Sequence, residues 1–281
     1  MAFEVFFLPA GTGRRFCLLH AVEAGVPVQG AVVYVHPFAE EMNKARRMAA
    51  LQARALAVAG YAVLQIDLHG CGDSSGDFGD ASWQGWIDDV LQACDWLARR
   101  SEAPLWLWGL RAGCLLAAGA ARRSDAVGGL LFWQPVLSGK RHLQQFLRLK
   151  SAGDMLSGDG AGSLDRLKAD LARGQAVEIA GYTLAPGLAS GLESAELALP
   201  ERALRVEWLE IAGAGNDSPS PAAASQMEKW RAQGHAVRRA AVRGASFWRT
   251  AEIAETPELI AATLEVIGSG DRRQRTEDRR Q

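Results

Sequence analysis

The segment WGLRAG, residues 108–113, has the spacing of a reactive bend but not its reactive residue. Gly109, Arg111 and Gly113 stand at the Gly-x-Ser-x-Gly interval between two apolar runs, the strand–turn–helix context in which that motif has meaning. Arg111 occupies the serine's place, and a guanidinium is protonated at every physiological pH and cannot attack an acyl carbon. The same bend suits an anion, because helix amides and the positive end of the helix dipole converge on it. An arginine adds a planar fork matched to carboxylate or phosphate.

Two further loops follow apolar runs: HPFAEEMNKARR after Val35 and DLHGCGDSSGDF after Ile66. Loops at the carboxyl ends of parallel strands line the crevice where open α/β sheets bind ligands. His36, Glu40, Glu41, His69 and Asp73 therefore join Arg111 as ligand-binding candidates, with Trp248 from a later loop. His36 or His69 is open as a relocated base, although a loop histidine also serves as a hydrogen-bonded structural residue. His235 stands at the far end of the last expected strand, up to ~35 Å from Ser246 at about 3.3 Å per residue; His20 and His142 have no supporting neighbours. Cys114, in CLLAAGA, reads as a small core hydrophobe, and Ser74 and Ser75 as turn formers.

The elements that must position these residues alternate between short apolar runs and amphipathic stretches, which predicts βαβ units. Strands are expected at Ala31 to Val35, Ala62 to Ile66, Leu105 to Trp108, Gly129 to Trp133, Val206 to Ile211 and Ala236 to Val242, with MAFEVFFLPA as an edge strand. Most are continuously apolar, as strands of a parallel sheet covered on both faces should be. Helices are expected near Asn43 to Ala59, Trp83 to Arg99, Gly113 to Arg122, Pro221 to Gln233 and Pro257 to Ile267. Between Ser138 and Pro200 the alternation breaks into three amphipathic pieces, Lys140 to Lys150, Ser163 to Arg173 and Pro186 to Leu197, read as an inserted helical cap. The division is thus a core of 1–137 and 201–267, a cap of 138–200, and a tail of 268–281 expected to be disordered because nothing apolar docks it.

Composition narrows the classes. Thirty-one Lys and Arg against 32 Asp and Glu leave no field that argues for nucleic acid. The four cysteines, Cys17, Cys71, Cys94 and Cys114, make no CxxC pair, so no metal site is read and reduced thiols in a cytoplasmic protein are expected. The start lacks a basic leader, and no uncharged apolar stretch reaches the ~20 residues of a membrane span. Nothing calls for a cofactor. Trp83, Trp86, Trp106, Trp108, Trp133 and Trp248 cluster near strand ends; packing explains them, though a carbohydrate platform is open.

Together, the HPF segment, the DLHGCGDSSG loop, GLRAG and the order of elements resemble the α/β-hydrolase superfamily over nearly the whole chain: a mostly parallel, doubly wound sheet with an inserted cap. HPFAEEMNKARRM, QIDLHGCGDSSGDF and WGLRAG are more narrowly similar to the second of the hydrolases associated with bacterial exosortase A systems, which accompany exopolysaccharide production. The resemblance implies hydrolysis or transfer of an acyl or ester group, with the amides of Phe38 and Ala112 as an oxyanion hole. It puts the orienting carboxylate at Asp217 and the base at Ser246, in RGASFW, where the superfamily has a histidine. Two readings stay open: such a hydrolase, or a non-catalytic protein binding an anion or a partner. In the second, Arg111 grips an anionic or acyl ligand, or pairs internally with Asp217, Glu40, Glu41 or Asp73; the cap is open as cover for a ligand or as contact for a protein partner.

Overall fold

The computed structural model describes residues 3–11, 13–156, 163–213 and 217–278. The chain begins with β1 (Phe3–Pro9) and β2 (Arg14–His20), then alternates β3 (Gly30–Val35), α1 (Glu40–Val58), β4 (Tyr61–Ile66), α2 (Trp83–Ala98), β5 (Leu105–Leu110), α3 (Gly113–Ala121) and β6 (Val127–Trp133). An insertion carries α4 (Gly139–Leu156), α5 (Ser163–Ala172), β7 (Val177–Ile179), β8 (Tyr182–Leu184) and α6 (Pro186–Ser194). The sheet then resumes with β9 (Arg205–Ile211), α7 (Pro221–Ala232), β10 (Ala236–Val242) and α8 (Pro257–Asp278).

Eight strands form one sheet in the order β1-β2-β4-β3-β5-β6-β9-β10. The first two are joined antiparallel to each other and to β4; every later pairing is parallel. All six residues of β3 and of β5 are buried, as a strand covered on both faces requires. Alternation sends Leu105 and Leu107 to one core and Trp106, Trp108 and Leu110 to the other. The first core joins α2, α3 and α7 to the sheet, with Trp86, Trp208 and Trp230 at its centre; the second joins α1 and α8, with Trp133 and Phe247. The expected tryptophans are thus largely core. Serine caps start two of the helices: Ser82 accepts from the Gly85 amide at 3.1 Å, and Ser220 from Ala223 at 3.2 Å.

A buried charge cluster ties the far edge together. Glu207, at the middle of β9 and without exposure, accepts from Arg205 Nε at 2.7 Å and from Arg238 Nε at 3.0 Å. Both guanidiniums also donate to the carbonyl of Val266 on α8.

The expected strands and helices are present, with differences that have physical reasons. Strand β2, RRFCLLH, carries charges at its start, so its sequence lacks the continuous apolar run of its neighbours. The insertion contains a small hairpin, β7–β8, closed by Ala180 and Gly181 at φ 50° and 82°, besides the three helical pieces expected. The base of the insertion is pinned where the Gly139 amide donates to Ala195 O at 2.8 Å. Helix α8 continues through the first part of the tail, as far as Asp278, and Ser269 there accepts from Arg238. Among the described residues no helix is long and apolar enough to cross a membrane.

Candidate ligand site at the elbow

The bend between β5 and α3 puts Arg111 at φ 55°, a left-handed conformation uncommon for a residue with a side chain and often found at functional sites. Two backbone hydrogen bonds hold it: the Arg111 amide donates to Trp133 O at 3.0 Å, and Cys114 N donates to Arg111 O at 3.1 Å. The flanking glycines are required by contact. A β-carbon on Gly109 would lie 2.7 Å from the Cys114 backbone, and one on Gly113 would lie 2.3 Å from Val35 O. Only hydrogen fits at either position.

From this bend the guanidinium reaches the start of α1. Arg111 Nε donates to Glu41 Oε1 at 3.2 Å, with the two side chains 14% and 10% exposed. Its Cζ also lies 5.7 Å from the Trp248 ring centroid, a cation–π distance. The pair borders a cavity of about 420 Å³. Helix α1 contributes Glu40, Glu41 and Lys44, and the segment after β10 contributes Trp248 and Arg249. Helix α4 of the insertion closes it with His142, Phe146 and Arg148, and the Phe38 ring sits edge-on to Phe146 at 5.1 Å and to His142 at 5.9 Å.

Burial dominates the electrostatics. It pushes the Glu41 carboxyl up to about 7, against the pull of Arg111, and raises Glu40 as well. His142 is pushed down to about 3, first by burial and then by Arg111, so it is neutral. Four buried polar atoms here have no partner among the described residues: Glu40 Oε2, Glu41 Oε2, His142 Nδ1 and Trp248 Nε1. Buried polar groups are normally satisfied, and all four belong to residues that line this one cavity. The Phe38 and Ala112 amides donate to no protein group among the described residues.

The remaining candidates lie elsewhere or are occupied. Asp217 is exposed and meets Arg239 through its backbone oxygen, at 2.7 Å; it does not pair with Arg111. Asp73 is exposed, its amide donating to Asp67 Oδ2. Of the four carboxylates considered as partners, Glu41 makes the ion pair and Glu40 lines the cavity. His36 is buried with both ring nitrogens engaged: Nδ1 donates to Pro37 O at 2.8 Å, and Nε2 accepts from Leu68 N at 3.3 Å. Burial lowers its pKa, and its two contacts make it a strut between the loops. His69 belongs to a separate cavity beside Asp89, and its ring fills the space over Gly76. His235 starts β10, where Nδ1 accepts from Leu204 N. Cys114 is fully buried, its thiol donating to Trp133 O at 3.7 Å and raised well above the usual range by burial. Ser74 accepts from Phe16 N and donates to Asp67 O. Ser246 is half-buried and turns the chain so that Trp248 and Arg249 face the cavity.

Sequence reasoning missed Lys44, His142, Phe146, Arg148 and Arg249. Lys44, four residues past Glu40, and Arg249, beside Trp248, were within reach of the spacing. His142 and Phe146 are one helical turn apart on α4, a shared face whose target only the fold reveals.

Sheet order, a left-handed bend between β5 and α3, and a helical insertion over the strand ends define an α/β-hydrolase fold. The sequence pattern of the family described as serine aminopeptidase, S33, matches residues 26–158. No curated protein sequence matches the chain. Solved structures similar in fold include a thermostable carboxyl esterase from Bacillus coagulans in complex with glycerol, 16% identical, with a TM-score of 0.62 over 96% of this chain and 99% of that one. A soluble variant of monoglyceride lipase from Saccharomyces cerevisiae, in complex with a substrate analogue, is 13% identical with a TM-score of 0.61 over 94% and 93%. Est1E from Butyrivibrio proteoclasticus with ferulic acid bound is 12% identical with a TM-score of 0.61 over 93% and 97%.

Proposed function

We propose that this chain binds a small anionic molecule, carrying a carboxylate or a phosphate, in the crevice between the elbow and α4, and that it does so without serine-type acyl chemistry. The observation that carries this reading is the Arg111 side chain, lining from the elbow a cavity at which Glu40, Glu41, His142 and Trp248 each have one buried polar atom without a partner among the described residues. Lys44, Arg148 and Arg249 add positive charge around the same space, against Glu40 and Glu41, so the balance favours an anion. Phe38, Phe146 and Trp248 supply an apolar wall for the rest of the ligand. The resemblance to exosortase-associated hydrolases supports a cytoplasmic ligand drawn from acyl or anionic groups of exopolysaccharide metabolism, and leaves the insertion available to a protein partner.

A second reading, hydrolysis or transfer of an acyl group, is favoured by the two free amides of Phe38 and Ala112, which suit an oxyanion. It needs a nucleophile other than Arg111. A fluorophosphonate probe with a panel of p-nitrophenyl esters separates the readings: we expect neither labelling nor turnover. Thermal shifts with acetate, sulfate and short acyl thioesters, compared between the wild type and Arg111→Ser, test binding. Stoichiometric labelling with turnover would replace the first reading by the second, and shifts unchanged in Arg111→Ser would remove Arg111 from the site.

A further inference from the structure

We propose that Glu41 is a binding residue of this site, changing from ion-pair partner of Arg111 to hydrogen-bond donor toward the ligand, so that the pocket takes up one proton with each anion. The inference rests on the anion-binding reading and adds what that reading leaves open, the fate of the carboxylate that already occupies the guanidinium.

The geometry sets an incoming anion beside Glu41. Arg111 Nε is engaged by Glu41 Oε1 at 3.2 Å, which leaves the two terminal nitrogens of the guanidinium to an anion, while Glu41 Oε2, enclosed beside the same cavity, has no partner among the described residues. An anion on those nitrogens puts a second negative group next to Glu41, whose own carboxyl is buried. Two adjacent negative groups with so little hydration on one of them favour the state in which the carboxyl holds a proton. A protonated Glu41 then has an O–H to donate to the ligand once its carboxyl turns the enclosed Oε2 toward the cavity. Burial has already moved this carboxyl to about 7 before any ligand arrives, so the proton is readily available near neutrality.

The other charged groups around Glu41 agree with this assignment. Glu40 and Lys44 lie on its own helix, Arg111 faces it from the elbow, His142 and Arg148 from α4, and Arg249 from the segment after β10. Tyr182 of β8 stands near Glu40, its hydroxyl raised by burial. His142, at about 3, is neutral throughout the range in which Glu41 titrates and supplies no proton. Glu40, less buried, is raised by a smaller desolvation and is drawn down by Lys44 and Arg111.

Isothermal titration of the full chain with sodium sulfate, which keeps one charge state between about pH 5.5 and 9, tests the exchange, with sodium acetate as a second probe above about pH 6, where it no longer titrates itself. Running each titration in buffers of different ionisation enthalpy counts protons. We expect uptake of about 0.9 proton per anion at pH 8 and almost none at pH 5.5, with affinity falling about tenfold per pH unit above 7. Glu41→Gln, which mimics the protonated side chain, should bind with no proton uptake and with affinity that does not change with pH. Binding by the wild type with equal affinity and no proton uptake at both pH values overturns the proton-coupled exchange while leaving the anion site intact. Absence of binding in both proteins at every pH overturns the anion site as well.

Discussion

Replacing Arg111 with methionine keeps an unbranched, flexible stem and removes the charge that faces Glu41. The cost is set by the carboxyl left behind. In the wild type that carboxyl stands near 7, above its ordinary 4.5 because of burial and below where burial alone would hold it because of Arg111. A folded value above the unfolded one means that Glu41's contribution to stability is full below 4.5 and is lost as pH rises through 7. Without Arg111 the folded value climbs further, and the loss continues to higher pH. Near pH 5.5 the carboxyl is protonated in both folded proteins, so the substitution costs little through this group. Near pH 9 the variant must hold a proton about two pH units beyond the wild-type value. At 1.36 kcal/mol per unit this is about 3 kcal/mol, the lower end of the roughly 3–5 kcal/mol for breaking a buried ion pair. Urea unfolding of both proteins at the two pH values measures the difference. A cost that is the same at both would refute the argument, because the pair would then stabilise the fold by something other than the charge of Glu41.

Glu207→Ala should destabilise the fold by roughly 3–5 kcal/mol, since it leaves Arg205 and Arg238 without their buried counter-ion; a melting temperature within a degree of wild type would show that the two guanidiniums are satisfied by the α8 carbonyls alone. Gly113→Ala drives a methyl against Val35 O and His36 O, where overpacking costs about 1–3 kcal/mol. It should also abolish the thermal shift with acetate, because the bend that aims Arg111 moves; a variant with wild-type stability and shift would contradict the close approach. All four cysteines are buried, with Cys17 and Cys94 raised to about 12 by burial, so Ellman's reagent should find no thiol in the native protein and four in denaturant. Rapid native labelling of Cys114 would return it to consideration as a nucleophile.

The architecture was readable because it is written in short-range signals. GAVVYV and LWLWGL are apolar throughout, and a strand buried on both faces has no other pattern. The elbow was readable because Gly109 and Gly113 are fixed by contacts that any side chain would break. Two kinds of information were not local. The β7–β8 hairpin has three-residue strands, too short for a period to register, and its one signal was Gly181 between VEI and YTL. The identity of Arg111's partner depended on where α1 begins. The helix starts at Glu40, three residues before the Asn43 expected from its apolar spacing, and that start decides which of two adjacent glutamates meets the guanidinium. His142 shows the same limit: nothing beside it in sequence hints that α4 lies across the strand ends.

Electrostatics at the elbow support the proposed anion. Arg111 lies two residues before the first turn of α3, where the helix presents its positive end and a cation is disfavoured. The same helix end is favourable to an anion, and Arg111 with Glu41 as its counter-ion makes the position tolerable. That counter-ion is itself poorly placed, since a carboxyl pushed up to about 7 is one whose lost hydration costs more than the pair with Arg111 returns. Glu41 sits in the first turn of α1, so one helix N-terminus and a guanidinium meet at a buried carboxylate whose second oxygen has no donor among the described residues. The proposed anion brings its own charge to Arg111 and relieves Glu41 of its charge, and that is the physical reason for expecting it to bind more tightly where Glu41 can take up a proton.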